Sequence, residues 1–381
     1  MINNITALNA KIPALFFATF FLIYGILWSS LDYSFITPTA IAILTSITIA
    51  ILNKKTLQAV YIPLLTITPL LAGHIIYQHQ INSHVTFYKK TKDKTIDTIA
   101  TIRKIKKQEN NRAPLCITVS TEKIKEVGSS KWKDIKKNIC FYTRAHPHIK
   151  IADTIEIKNI AIKKPKNNKF IKYLIKENIA ATIFTTKLEY ILKHRPLYST
   201  SRWFHTKKEK LFFSLKEKMS PRLFSLFASV FLGNKNFYKQ ESQCLKTKFK
   251  AWGILHILAR SGLHLIIFLL LCELLLKLIP ICFYIKQIIL LILSIIYLLL
   301  SWPSISFIRA FSALILYKVC PFLKTKPDLL YILAIICIIM LIFNPIQIFF
   351  LDFQLSFLLT CTLAIFNKTE RKRKRKTLSP Q

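Results

Sequence analysis

The chain has 381 residues, is 52% hydrophobic, and carries 56 Lys+Arg against 18 Asp+Glu, a formal charge of +38. A soluble domain seldom combines that charge with uninterrupted apolar runs such as 12–28, 253–276 and 328–343. The charge and the apolar runs alternate along the sequence, so we read apolar spans joined by basic loops and exclude an ordinary globular enzyme.

The first apolar run follows a single Lys11 and has no small-residue cleavage site after it, so it reads as a retained span and not a secretory leader. Three apolar segments open the chain, Ile12–Leu31, Phe35–Leu52 and Leu57–Tyr77, grouped as a membrane region over 1–78. The turn Asn53-Lys54-Lys55 is basic and the link at Asp32 is not, so the positive-inside tendency puts the amino terminus in the cytoplasm and the third segment's end outside.

From 79 to 200 the character changes to short β-type stretches, Leu115–Val119, Ile139–Tyr142 and Ile149–Ile162, separated by lysine-rich turns. Their spacing fits a compact five-strand barrel or another small β domain. Residues 201–250 hold an amphipathic helix with a break at Ser220-Pro221; it lies either in the membrane interface or against the preceding domain.

Five more segments follow within 251–366: Ala251–Leu278, Ile281–Trp302, Ser304–Val319, Leu329–Phe343 and Phe349–Phe366. Ser304–Val319 is short and holds Arg309, so it either spans or re-enters. Alternate connections are basic, and Arg371–Lys376 opens a basic tail over 367–381. The two loop-charge patterns agree on an eight-span topology with both termini cytoplasmic.

A charge this basic favours anionic partners, either nucleic acid or the phospholipid surface, although an A/T-rich coding sequence would also raise Lys, Ile and Asn. The cysteines form no C-x-x-C pair and no zinc spacing, so no metal or cofactor is expected. Cys116 and Cys140 share the polar domain and would pair in an oxidising compartment.

Polar groups inside apolar runs carry the functional argument, because an Arg at a helix centre costs about 2.5–3.5 kcal/mol on insertion scales. Gly253–Leu265 reads GILHILARSGLHL, in which His256, Arg260 and His264 recur every four residues beside Ser261 and Gly262. That stripe lines a polar path that contacts phosphates, or it only hydrogen-bonds neighbouring spans. The histidines stand about 12 Å apart along a helix, which argues against a metal pair. A second cluster is Pro303 to Ala310 around Arg309, and a third is Asn344-Pro345 followed by Asp352, Phe353, Gln354, Leu355, Ser356 and Phe357.

The order G-x-x-H-x-x-A-x-S-G-x-H, then P-S-x-x-x-x-R-A, then N-P and F-Q-L-S-F resembles the competence domain of the ComEC family of DNA-uptake channels. The residues that carry it are Gly253, His256, Ala259, Ser261, Gly262 and His264, then Pro303, Arg309 and Ala310, then Asn344, Pro345 and Phe353–Phe357. Leu223–Gly233 is similar to that family's lead-in helix, and the polar domain to its extracytoplasmic OB-type domain. The resemblance implies a polytopic inner-membrane protein that moves single-stranded DNA inward. It also implies base stacking in the outer domain, for which Phe87, Tyr88, Trp132, Phe141 and Tyr142 are candidates alongside core packing.

Several departures qualify it. No H-x-H-x-D-H nuclease motif occurs, Arg260 stands where relatives have a small or apolar residue, Ala152 replaces a usual Gly, and Asn234 a usual Asp. The sequence therefore reads as a truncated or partial form, either completed by a second chain or present as a homo-oligomer. The other readings are a non-transporting remnant or membrane-anchored nucleic-acid-binding module, and a small-solute permease. No catalytic residue is assigned.

Overall fold

The computed structural model describes residues 14–31, 56–91, 94–107, 115–129, 131–144, 148–162, 165, 167–186, 188–233, 247–253, 262–302, 304–320, 322 and 328–377. The chain divides into two compact units. The expected span Phe35–Leu52, the Lys54-Lys55 turn, and His256, Ala259, Arg260, Ser261, Asn234 and Pro303 lie outside the described residues.

The first unit comprises residues 1–81, 261–298 and 303–381 and is helical where described. It contains α1 (Ala14–Ser29), most of α2 (Thr56–Thr91), α6 (Gly262–Lys277), most of α7 (Phe283–Leu300), α8 (Ile305–Val319), α9 (Leu329–Phe343), a 3-10 turn over Pro345–Phe349, and α10 (Leu351–Thr377). Gly25 of α1 and Gly73 of α2 sit where an added Cβ would strike the partner helix backbone at Leu70 and Leu22, so glycine sets that close crossing. One core cluster joins Leu22, Ile26 and Tyr77 to Cys337, Leu341 and Phe353. A second joins Leu265 and Leu269 to Leu290, Tyr297, Phe307 and Phe311.

Among the described residues one helix, α7, is long and apolar enough to cross a membrane, which overturns the eight-span expectation. The apolar runs are cut into shorter helices. Both α8 and α9 have 15 residues, or about 22 Å at 1.5 Å per residue, short of a ~30 Å hydrocarbon layer. Ser304 and Asp328 start these helices by accepting from the amides of Phe307 and Leu330, and Asn344-Pro345 stops α9. The apolar run of α2 extends through a polar stretch to Thr91.

The second unit comprises residues 82–260 and 299–302. Its strands are β1 (Thr95–Lys107), β2 (Leu115–Glu126), β3 (Lys133–Asp134), β4 (Asn138–Thr143), β5 (Thr154–Ala161), β6 (Ile179–Thr185) and β7 (Ile191–His194). Helix α3 (Asn168–Lys176) precedes β6, and α4 (Thr200–Lys218) and α5 (Pro221–Phe227) follow the sheet. The seven strands form one open sheet in the order β6-β4-β2-β1-β5-β7, with β3 paired off β2. This corrects the five-strand OB-like barrel. Among the described residues the path ends in two separate edges, since β6 pairs in parallel with β4 and β7 pairs with β5. The core is an inward row of isoleucines with Phe87, Tyr88 and Phe141.

Sequence and local structure agree best at the Ser220-Pro221 break. There α4 ends at Lys218, Ser220 caps the amide of Leu223, and Pro221 begins α5.

Candidate functional site

In the helical unit three of the polar clusters converge around α8. Gly262, the first residue of α6, faces Ala310 of α8 so closely that a Cβ on it would collide with the alanine methyl. Arg309, the neighbouring residue, aims at α10: its Nη1 donates to the Ser356 carbonyl oxygen and to Thr360 Oγ1. Its guanidinium also lies 5.6 Å from the centre of the Phe357 ring. Among the described residues its close partners are a carbonyl, a hydroxyl and an aromatic face, while its buried Nε has no partner. A guanidinium so held is oriented but not neutralised, and it retains donors for a phosphate or carboxylate.

The other motif residues take more local roles. Gln354 Nε2 donates to the Ile348 carbonyl at 2.7 Å, tying the 3-10 turn to α10. Asp352 accepts from the Phe353 amide at 3.1 Å in the first turn of α10, where a negative charge complements the helix terminus. Ser356 contributes its carbonyl, and its hydroxyl has no assigned part. Asn344 Oδ1 accepts from Gln80 Nε2 at 2.9 Å, and Gln80 Oε1 accepts from the Ile346 amide at 3.4 Å, linking α2 to the turn after α9. His264 is half-buried on α6, two residues from Gly262 and on a different face of the helix. Sequence reasoning missed Thr360, whose only signal is its place one turn beyond Ser356, and Gln80, which has no signal apart from polarity within an apolar stretch.

In the sheet unit the expected aromatics divide. Phe87, Tyr88 and Phe141 are buried in the core and have no open face for a base. Trp132 is partly exposed, with Lys125 Nζ 5.2 Å from its ring centre. Tyr142 is half-buried and stacks on Phe184, directly opposite it across β4 and β6, at 4.8 Å and 12°. Phe184 is 70% exposed on an edge strand, so one ring face is open. On α3, Phe170 and Tyr173 stack at 6.2 Å beside the exposed Lys169 and Lys172. Burial raises the Tyr173 phenol above its ordinary value, with Glu177 and Tyr142 adding to it. Phe184 could not be found from sequence, because its exposure follows from the β4–β6 pairing.

Cys116 and Cys140, on neighbouring strands β2 and β4, are joined as a disulfide with Cα atoms 6.3 Å apart. Asp153 is fully buried at the turn before β5, where Arg195 Nη2 binds it at 2.9 Å and Arg202 Nη2 at 2.5 Å. The Lys150 amide donates to it at 2.8 Å. Burial pushes the carboxyl up, but the Arg195 hydrogen bonds, the Lys150 amide and both arginine charges outweigh it and hold it below its ordinary value. The preceding residue, Ala152, has φ 68°, a left-handed conformation that glycine adopts freely and alanine does not. The alanine at this turn thus strains a backbone built for glycine.

Residues 231–381 match the model of the family described as Competence protein. No curated protein and no solved structure matches the chain.

Proposed function

From the membership of residues 231–381 in the Competence protein family, we propose that the chain takes part in passing single-stranded DNA across the inner membrane. The observation that supports this most is Arg309: its guanidinium is held by a carbonyl, a hydroxyl and a ring of the Ser356 segment, with no described carboxylate against it, while the neighbouring Ala310 packs on Gly262. A strand moving past such a site offers each phosphate a charge-assisted contact worth about 1.5–3 kcal/mol, weak enough to release. In this reading the sheet unit is extracytoplasmic and α7 is a membrane crossing. The disulfide on the sheet supports an oxidising location for that unit. A second chain, or further copies of this one, supplies whatever the path lacks.

The test is DNA uptake in cells whose only such protein is this chain. Arg309→Ala and His264→Ala should each lower internalised DNA at least about tenfold, the rate factor of 1.4 kcal/mol. Uptake is compared at matched protein level for each variant. Unchanged uptake at equal protein level would sink the proposal.

A second reading, a membrane-anchored nucleic-acid-binding module, draws on the Tyr142–Phe184 stack with its open face. It predicts salt-sensitive binding of single strands without transport.

A further inference from the structure

The start of α4 presents an exposed aromatic patch. Leu197 and Tyr198, in the link before the helix, are 107% and 74% exposed, and Trp203 and Phe204 in its first turns are 48% and 50% exposed. Ser199 caps the helix by accepting from the Arg202 amide, so these residues are presented on a fixed turn. Arg202 is locked inward on Asp153, the Ile151 carbonyl and the Pro196 carbonyl, leaving the aromatics outermost. Basic residues accompany them: Lys207 Nζ lies 5.8 Å from the Trp203 ring centre, and Lys210 follows one turn on. Glu209 is engaged by His205 at 3.5 Å.

The other side of α4 packs on residues 299–302 of the same unit. Lys208 Nζ donates to the Ser301 carbonyl at 2.9 Å and the Leu299 carbonyl at 3.4 Å, and stands 3.8 Å over the Trp302 ring. Phe212 packs on Trp302 at 4.9 Å, and the Trp302 amide donates to the Leu232 carbonyl at 2.8 Å. These partners are the last residues of α7 and the two that follow it. The lysine thus caps the end of α7, the helix that among the described residues is long enough to cross a bilayer. A helix bound to the end of a span sits at the level of the headgroups, where Trp and Tyr are enriched and lysines meet lipid phosphates.

We propose that the Leu197–Phe204 patch docks into the headgroup layer of an anionic bilayer, with Lys207 and Lys210 on the lipid phosphates. The inference rests on the reading of α7 as a membrane crossing. The full chain is placed in vesicles of phosphatidylcholine with a minority of phosphatidylglycerol. Its tryptophan emission is then quenched with phospholipids brominated either near the headgroup or near the chain end. The difference between the wild type and Trp203→Phe isolates Trp203. Preferential quenching by the headgroup-side bromines is expected. Lys207→Gln should lower the docked-to-undocked ratio about fivefold, as ~1 kcal/mol per basic residue at an anionic surface gives. A water-exposed Trp203 emission quenched by neither lipid overturns the docking. Ile292→Trp, on the exposed side of α7, separates the two readings. If it is quenched by chain-end bromines while Trp203 is not, only the docking falls; if it is quenched by neither, the crossing and the docking both fall.

Discussion

The two units treat charge and apolar surface in opposite ways. In the sheet unit the isoleucines point inward and the acids are paired: Asp153 with Arg195 and Arg202, Glu156 with Lys193 at 2.7 Å, Asp97 with Lys125 at 3.7 Å. In the helical unit Leu270, Leu274, Leu358 and Leu363 face outward, while Arg309, Gln80 and Asn344 bond between helices. Water imposes the first pattern, and a bilayer or a partner surface imposes the second. The units also hold the two candidate contacts with nucleic acid, an unneutralised arginine among helices and an exposed ring on a sheet edge. Separating those contacts separates a channel from a binding module.

Perturbations can break or sharpen this contrast. The largest effect is expected at Asp153. Asp153→Ala removes the shared acceptor of Arg195, Arg202 and the Lys150 amide, and the loss should be read as faster hydrogen exchange in β5 and β7 of the full chain, with α8 and α10 unaffected. Phe184→Ala comes next. It should weaken binding of a single-stranded oligonucleotide by about 1–3 kcal/mol, the worth of one stacked base, while thermal stability moves by less than about 0.5 kcal/mol because the ring is exposed. Loss of stability without loss of binding would show the ring to be structural.

Acid acts on the same asymmetry. The Asp153 carboxyl titrates below its ordinary value of 3.8, so its contribution is complete above that value and is lost as the pH falls through the lowered one. Exchange protection of β5 should therefore hold above pH 3.8 and fail below it. Asp153→Asn should remove that dependence. The smallest expected change is a gain: Ala152→Gly relieves the φ 68° backbone and should stabilise the sheet unit by about 0.5–1 kcal/mol after glycine's entropic cost, seen as a higher midpoint in urea.

Much of the helical unit was legible in the sequence and much of the sheet was not. The apolar runs located α1, α6, α7, α8, α9 and α10, but not their lengths, because hydropathy does not register a Ser304 or Asp328 cap or the stop at Asn344-Pro345. Hence spans were expected where shorter helices stand. Strand β1 escaped altogether. Its isoleucines, Ile96, Ile99, Ile102 and Ile105, recur every third residue, which matches neither a strand nor a helix. In the structure Ile96, Thr98, Ala100 and Ile102 form the inward row at period 2, and the extra residue at Arg103 then shifts the alternation so that Ile105 also packs against the core. The motif residues were legible as a set, and the meeting of Gly262 with Ala310 and of Arg309 with the Ser356 segment gives that set a common location. The roles within it were not legible, since Gln354 ties the preceding 3-10 turn to α10, Asp352 accepts from the first turn of α10, and Thr360 bears no motif.

The most direct test of the central claim is a photo-crosslinking amino acid placed at Thr360, beside Arg309, and separately at Phe184, in cells taking up labelled DNA. Transport predicts that incoming single strands cross-link at both positions, and that Arg309→Ala removes the Thr360 adduct but leaves that at Phe184. Adducts at Phe184 alone, with none at Thr360 while DNA still enters the cell, would contradict it.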